Sequence, residues 1–225
     1  MSETSKIIAI DGPAASGKGT LARELAAVLN FAHMDTGALY RAVGYEVLQA
    51  GGDLENAQDA LAACRVLEEK LAQGDPLSNP DLRLDEIGNA ASKVAVMESV
   101  RAALIDIQRH FAQNPADTYE GAVLDGRDIG TVICSDAHLK LYVTANMEIR
   151  AKRRMKELQS KGINVKYGAV LEDMRARDAR DSGRKAAPLR PAQDAIVIDT
   201  STLTQAQMLE MALEYAKKAF VGNTA

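Results

Sequence analysis

One short segment near the start of the chain constrains its fold more than any other feature. Residues 6–10 form a β-branched apolar run, as expected of a strand that is buried on both faces of a sheet. A glycine-rich stretch separates this run from a segment whose apolar residues recur at helical spacing, at Leu21, Leu25, Val28 and Leu29. A buried strand, a glycine loop and a helix in this order predict the beginning of an α/β protein.

The remainder of the chain continues this alternation. Buried-strand patterns recur at residues 121–124, 139–144 and 195–198. Helical patterns occupy the segments between them, namely about 56–113, 150–161 and 170–183. We therefore expect an α/β fold of three layers, in which a parallel sheet is flanked by helices. Because no internal repeat or low-complexity linker is found, we expect residues 1–225 to form a single domain.

Composition restricts the class of function. The formal net charge of −4 argues against a nucleic-acid polymer as partner, so basic residues must be concentrated locally at any anion site. No stretch approaches the roughly 20 apolar residues that cross a bilayer. The two cysteines, Cys64 and Cys134, fit neither a disulfide framework nor a zinc site. We expect a cytoplasmic protein without a membrane partner and, since no long exposed apolar stripe is evident, a monomer.

The glycine-rich stretch satisfies the pattern G-x-x-x-x-G-K. Its predicted nucleotide-binding residues are Gly12, Pro13, Ala14, Ala15, Ser16, Gly17, Lys18, Gly19 and Thr20. Small residues let backbone N–H groups wrap phosphate oxygens, and the N-terminus of the next helix adds partial positive charge. Lys18 is predicted to stabilise charge on the β- and γ-phosphates of ATP, and Thr20 to contact phosphate or Mg²⁺. The alternative is a glycine-rich turn that matches by chance.

The surroundings of Asp125 favour a kinase over a hydrolase. Asp125 ends a predicted strand, where its carboxylate could hold Mg²⁺ through water. A hydrolytic ATPase usually follows this residue with an acidic base, whereas Gly126 stands here, and no Asn-Lys-x-Asp sequence for a GTPase is present. An acceptor phosphate is its own nucleophile, so transfer needs alignment and charge neutralisation rather than a base. The three histidines, His33, His110 and His138, are isolated and are predicted to have packing or surface roles.

Two groups of arginines share helical faces. Arg150, Arg153 and Arg154 are spaced i, i+3 and i+4, which places like charges close together. Arg177, Asp181 and Arg184 are spaced i, i+4 and i+7, and Gly183 would loosen the helix there, as a hinged lid requires. The first group is predicted to meet polyphosphate when its segment closes, and the second to belong to a site for phosphoryl transfer between two nucleotides. The alternatives are a solvated surface helix for the first group and surface salt bridges for the second.

Three further segments extend this interpretation. Residues 35–41, 124–131 and 177–184 read DTGALYR, LDGRDIGT and RDARDSGR. Together with residues 12–20 and the NAAS sequence at 89–92, their order and spacing resemble those of bacterial cytidylate kinases. The resemblance runs from about Ile7 to the C-terminal helix.

This resemblance implies a P-loop nucleoside monophosphate kinase fold. The monophosphate-binding region would span about 36–115 and the lid about 150–184. The implied reaction is direct in-line phosphoryl transfer, in which ATP with Mg²⁺ converts CMP and dCMP to CDP and dCDP. Many members carry a small β-rich insert in the monophosphate-binding region. Residues 64–85 are short for such an insert, and we expect helix and loop there instead.

The resemblance also implies roles for individual residues. The implied catalytic residues are Lys18, Arg127, Arg153, Arg154 and Arg184. Residues implied to hold the acceptor phosphate are Arg41, Arg127 and Arg184, and those implied to lie over the ATP phosphates are Arg153 and Arg154. Asp181, with Arg177, would meet the sugar hydroxyls or hold the arginines in place. Thr36 would keep the hydroxyl of a serine found in that loop.

Ser92, Arg101 and Asp128 would recognise the cytosine base. Cytosine offers N3 and O2 as acceptors and an exocyclic amine as donor. An arginine can donate to the first two, whereas a hydroxyl and a carboxylate accept from the amine. Uracil reverses the polarity at N3 and C4, and each buried mismatch costs about 1–3 kcal/mol.

Two other functions remain open on the sequence. A kinase of the same fold that acts on shikimate or another monophosphate would share the phosphate loop but would not need the three base-recognising residues. A nucleotide sensor without catalytic activity would bind ATP and produce no ADP with any acceptor.

Overall fold

The computed structural model describes residues 5–221, and five strands form its sheet. The strands are β1 (Lys6–Asp11), β2 (Ala32–Asp35), β3 (Gly121–Gly126), β4 (Leu139–Thr144) and β5 (Ile196–Asp199). Their order across the sheet is β2-β3-β1-β4-β5. β1 pairs in parallel with both β3 and β4, and β4 pairs in parallel with β5. The four strands predicted from the sequence are confirmed, whereas β2 was not predicted because its sequence, AHMD, has no β-branched residue and no apolar run.

Eight α-helices occur in residues 5–221. They are α1 (Lys18–Leu29), α2 (Thr36–Gln49), α3 (Ala57–Gln73), α4 (Asp85–Val94), α5 (Glu98–Gln113), α6 (Met147–Ser160), α7 (Tyr167–Gly183) and α8 (Gln205–Val221). A short π-helical turn, Ile129–Ile133, follows β3. Within this part of the chain, none of the helices has the length and apolar character needed to span a membrane.

The chain divides into two compact units. The first contains the residues up to Met34 and those from Phe111 onward, and the second is Asp35–His110. The domain organisation expected from the sequence, with its acceptor-binding and lid regions, stays a prediction.

The core of the first unit forms around the strands. β-Branched and aliphatic side chains of β1 and β4 are fully or almost fully buried, among them Ile8, Ile10, Leu141 and Val143. They pack with apolar residues of α1 and α8, including Leu25 and Met208. Burying each large aliphatic side chain contributes about 1.5–3 kcal/mol. This core holds the carboxyl end of β1, from which the glycine-rich loop leaves.

The second unit is helical, and α2 is its centre. A Cβ on Gly44 would lie 2.9 Å from Ala90 Cβ, so glycine permits the close approach of α2 to α4. Two short 3₁₀ turns, Pro76–Ser78 and Pro80–Arg83, connect α3 to α4. All of residues 64–85 are described and none of them forms a strand, which confirms the expectation of helix and loop in place of a β-rich insert.

Candidate active site

The glycine-rich loop has a backbone that few side chains would permit. Gly12 has φ 154°, and a Cβ there would lie 2.0 Å from Val143 O. Ala15 and Gly17 have φ values of 56° and 94°, both in the left-handed region. Gly17 is the N-cap of α1 and has no side chain to cap its first turn. The loop and the helix N-terminus together form a concave backbone site that fits an anionic phosphate chain.

Asp125 lies beside the first turn of α1. A Cβ on Gly19 would be 3.5 Å from Asp125 Oδ2, which places the carboxylate next to the residue before Thr20. The other carboxylate oxygen, Oδ1, is 2.9 Å from His33 Nε2. His33 therefore has a specific polar contact at the site, which its isolated position in the sequence did not indicate.

The residues beside α1 suit Mg²⁺. Magnesium keeps several waters and is usually held by one or two protein oxygens together with substrate phosphates. A hydroxyl at Thr20 and a carboxylate at Asp125 offer this kind of donor set. Across residues 5–221, no three or more His, Cys, Asp or Glu side chains are grouped as a metal site.

Arg127, Arg177, Asp181 and Arg184 form a charged group that we call the arginine cluster. Arg127 Nε donates to Asp181 Oδ2 at 2.8 Å, and Arg184 Nε donates to the Asp181 carbonyl at 3.1 Å. Asp181 and Arg184 are buried. α7 ends at Gly183, where the sequence predicted a break in the helix.

The buried charges of the cluster stabilise one another. Burial works against the charged form of Asp181, but the guanidinium groups of Arg127 and Arg184 hold its pKa below the usual range. Burial likewise opposes the charge on Arg127, and Asp181 outweighs it, so the pKa of Arg127 is raised. Arg127, Arg177 and Arg184 all interact with the Asp181 carboxylate, and guanidinium groups of this kind can also donate to the oxygens of a phosphate group.

Arg150 joins α7 to the glycine-rich loop. Its Nη2 is 2.7 Å from Asp178 Oδ2, and its Nη1 donates to Ala14 O at 3.2 Å. Asp178 lies one turn before Asp181 on α7. The buried Arg150 therefore connects the helix that carries the arginine cluster to the loop.

The other two arginines of α6 have different partners. Arg153 donates to Ser16 O at 3.4 Å and to the hydroxyl and carbonyl oxygens of Thr200. Arg154 Nη1 pairs with Glu157 Oε2 at 2.8 Å. The predicted positions of Arg153 and Arg154 over the ATP phosphates stay predictions.

Asp11 is a buried carboxylate that sequence reasoning missed. Its two oxygens accept the backbone N–H groups of Ile129 and Gly130, each at 2.8 Å. Burial raises its pKa to about 6, although these two hydrogen bonds and Arg127 oppose the shift. Asp11 thereby fixes the backbone just after Arg127 and the buried Asp128. The one sequence feature that could have indicated this role is the position of Asp11 at the end of a strand, immediately before the glycine-rich loop.

The second unit contains the other predicted acceptor-binding residues. Arg41 Nη2 forms an ion pair with Asp35 Oδ2, and Thr36 is buried at the start of α2. Ser92 on α4 is buried, and the buried Arg101 on α5 lies 5.5 Å from the centre of the Tyr40 ring. Burial makes Ser92 and Arg101 unlike the surface residues that their spacing alone would suggest. Tyr40, within the DTGALYR segment, was not singled out from the sequence.

Comparison with known proteins identifies the family. A profile described as "Cytidylate kinase" matches residues 8–218. The chain belongs to the cytidylate kinase family. It is 57% identical over 208 residues to a cytidylate kinase of Rhodospirillum rubrum, which covers 92% of this chain and 95% of that protein. It is 53% identical over 213 residues to a cytidylate kinase of Methylocella silvestris, covering 95% and 94%.

These matches confirm the family resemblance and the enzyme class that were predicted from the sequence. The parallel sheet flanked by helices confirms the fold class. A solved structure of an uncharacterised protein from Eubacterium ventriosum has a similar fold, with a TM-score of 0.54, 16% sequence identity, and coverage of 95% of this chain and 99% of that one.

Proposed function

We propose that this protein transfers the γ-phosphoryl group of ATP to CMP and dCMP, which yields ADP with CDP or dCDP. The observation that carries the proposal is 57% identity over 92% of the chain to a protein named cytidylate kinase. The glycine-rich loop and the arginine cluster support it, because phosphoryl transfer between two nucleotides requires anion sites for both.

The glycine-rich loop is proposed to bind the triphosphate of ATP. Its backbone N–H groups would surround the phosphate oxygens, while Lys18 would follow the negative charge that grows on the β- and γ-phosphates. We propose that Arg154 on α6 adds a second cation there. This assignment requires Arg154 to leave Glu157, a partly exposed pair whose loss costs about 1 kcal/mol or less.

Thr20 and Asp125 are proposed to hold Mg²⁺, Thr20 through its hydroxyl and Asp125 through water. Bound Mg²⁺ neutralises charge on the phosphate oxygens of ATP. His33 would keep the Asp125 carboxylate in one orientation, since its Nε2 is 2.9 Å from Oδ1.

The arginine cluster is proposed to bind the phosphate of the acceptor. Arg127 and Arg184 would each donate to it, and Arg41 in the second unit would contribute a third guanidinium. A nucleoside monophosphate is largely dianionic at neutral pH, because its second pKa lies near 6. It attacks without a base, so the cluster acts by alignment and charge neutralisation. Asp181 and Arg177 would also meet the sugar hydroxyls, and Thr36 would donate to the acceptor.

Base recognition is proposed for Ser92, Arg101 and Asp128. All three are buried, so a base that reversed their donor and acceptor pattern would leave polar groups unsatisfied. Such a mismatch costs about 1–3 kcal/mol for each group, which favours CMP over UMP. We further propose a cytoplasmic monomer.

An acceptor panel tests the proposal directly. Purified protein with ATP and Mg²⁺ is mixed in parallel with CMP, dCMP, UMP, AMP, GMP and shikimate, and ADP and the phosphorylated product are quantified. The Lys18→Ala variant, purified identically, controls for a contaminating kinase. We expect rapid turnover mainly with CMP and dCMP.

The other outcomes each contradict part of the proposal. Turnover on a different acceptor would keep the ATP site and reject the base-recognising residues. ATP binding without ADP formation on any acceptor would instead support a sensor.

A further inference from the structure

The phosphate loop is held from behind by side chains that lie far from it in sequence. Arg150 Nη1 donates to Ala14 O at 3.2 Å. Ser16 O accepts from Arg153 Nη1 at 3.4 Å and from Thr200 Oγ1 at 2.8 Å. Arg150 and Arg153 come from α6, and Thr200 follows β5 directly. Side chains of α6 and of the residue after β5 therefore hold two carbonyls of the loop by hydrogen bonds.

Anchoring a carbonyl also orients an N–H group. A peptide group is planar and trans, so its C=O and N–H point in opposite directions. Ser16 O shares a peptide plane with the Gly17 N–H, and Ala14 O shares one with the Ala15 N–H. Ala15 and Gly17, on either side of Ser16, both have left-handed backbone conformations, with φ values of 56° and 94°. Holding these oxygens outside the loop directs both N–H groups to its concave side.

Thr200 and Arg153 act on the Ser16 peptide as one unit. Arg153 Nη1 donates to Thr200 Oγ1 at 2.9 Å, and Nη2 donates to Thr200 O at 2.6 Å. Because the hydroxyl accepts from Arg153, its proton is directed to Ser16 O. The backbone N–H of Thr200 donates to Thr144 O at 2.8 Å, which fixes the residue to the end of β4. Thr200 is completely buried, so water does not compete for these bonds.

We propose that Thr200 and Arg153 are positioning residues for ATP, which hold the Ser16 peptide so that the Gly17 N–H faces the triphosphate. The inference rests on the proposed function, and it gives Arg153 a different role from direct contact with the ATP phosphates. Both of its terminal nitrogens bind protein oxygens around the loop. Thr200 is not part of any motif in the sequence and gains its role only from the fold.

Thr200→Val is the most informative variant, because it keeps the shape of the side chain and removes only the hydroxyl. We expect the Kd for ATP, measured by calorimetry without acceptor, to rise about tenfold. This corresponds to the loss of one hydrogen bond between the Gly17 N–H and a charged phosphate oxygen. The Kd for CMP should not change. Thr200→Ser keeps the hydroxyl and should stay within about twofold of the wild type. Thr204→Val, the same change at an exposed threonine, is the control.

Arg153→Met tests the second proposed positioning residue. Lys152→Met, on the exposed face of α6, is its control. Arg153→Met should also raise the Kd for ATP by about tenfold or more. The Kd for ATP of the double variant Arg153→Met/Thr200→Val should be close to the higher Kd of the two single variants, since both changes release the Ser16 peptide. Thermal unfolding without nucleotide shows which variants are folded. If Thr200→Val does not fold, the Kd for ATP is measured on Arg153→Lys instead.

Two results would overturn the inference. Wild-type ATP affinity in folded Thr200→Val would show that the hydroxyl does not position the loop. Arg153→Met with unchanged Kd but a much lower kcat at saturating ATP would show direct action on the transferring phosphoryl group. The binding measurements need no acceptor, so they remain decisive even if the wild type fails to phosphorylate CMP.

Discussion

The phosphate loop and the arginine cluster are both anion sites, yet they are built in opposite ways. The loop presents backbone N–H groups from consecutive residues, and its shape depends on positions such as Gly12, where a Cβ would meet Val143 O. The cluster presents side chains, and Arg127 and Asp181 are separated by 54 positions in the sequence. Its charges are balanced against each other around one buried carboxylate.

This difference determines how each site responds to substitution. A backbone site is insensitive to most side chains and fails when its conformation is lost. A side-chain site loses affinity with each charged group that is removed, because the remaining buried charges lose their partner. Lys18 is the exception in the loop, since it acts through its own side chain.

The largest effect is expected for Lys18→Ala. The variant should reduce kcat by about a thousandfold or more, because no other group of the loop follows the charge on the transferring phosphoryl group. Its thermal unfolding temperature should match that of the wild type. Lys217→Ala, at an exposed lysine of α8, is the control. Near-normal turnover by folded Lys18→Ala would reject the assignment of the ATP site.

The two sites also differ in what the sequence reveals about them. The place of the loop between a buried strand and a helix could be predicted, because consecutive residues encode it, whereas the hydrogen bonds from Arg150, Arg153 and Thr200 to the loop could not. The spacing of Arg177, Asp181 and Arg184 predicted a shared helical face, but their connection to Arg127 came only from the family resemblance. Asp11 and His33 were missed, since a single polar residue at the end of a strand carries no pattern. Their partners, Ile129 and Asp125, are brought near only by the pairing of strands.

Arg184→Met tests the cluster as an acceptor site. We expect kcat/KM for CMP to fall roughly a hundredfold, as for the loss of one member of a buried charged group. The Kd for ATP should stay within about twofold of the wild type. The neighbouring exposed Lys185 gives a matched control in Lys185→Met. Equal losses of ATP and CMP affinity would show that the two anion sites are not independent.

Asp11 relates the two sites, because it precedes the loop and binds the backbone after Arg127. Its pKa of about 6 in the folded state lies above the usual 3.8. The folded state therefore binds the Asp11 proton more tightly, and the stability gained is complete below about pH 3.8 and is lost as pH rises through 6. A shift of this size corresponds to about 3 kcal/mol.

Asp11→Asn removes this titration. The difference in the free energy of unfolding, wild type minus variant, should decrease by about 2–3 kcal/mol between pH 4 and pH 7. Urea unfolding of both proteins across this range measures it, and Asp117→Asn, at an exposed carboxylate, is the control. A pH-independent difference for Asp11→Asn would mean that Asp11 ionises at its ordinary pKa. Asp11 would then clamp the backbone without an energetic cost of burial.

The smallest effect is expected at Asp128, which follows Arg127 but is proposed to contact the base instead of the phosphate. An amide in its place can still accept from the cytosine amine, but it loses the negative charge and can also donate to uracil O4. We expect Asp128→Asn to raise KM for CMP and to reduce the ratio of kcat/KM for CMP to that for UMP by roughly tenfold. Asp136→Asn, at an exposed carboxylate of the same segment, is the control. Asp128→Asn could instead lower turnover on CMP and UMP by the same factor. Asp128 would then act on the phosphate together with the arginine cluster, and the proposed division between phosphate recognition at Arg127 and base recognition at Asp128 would be wrong.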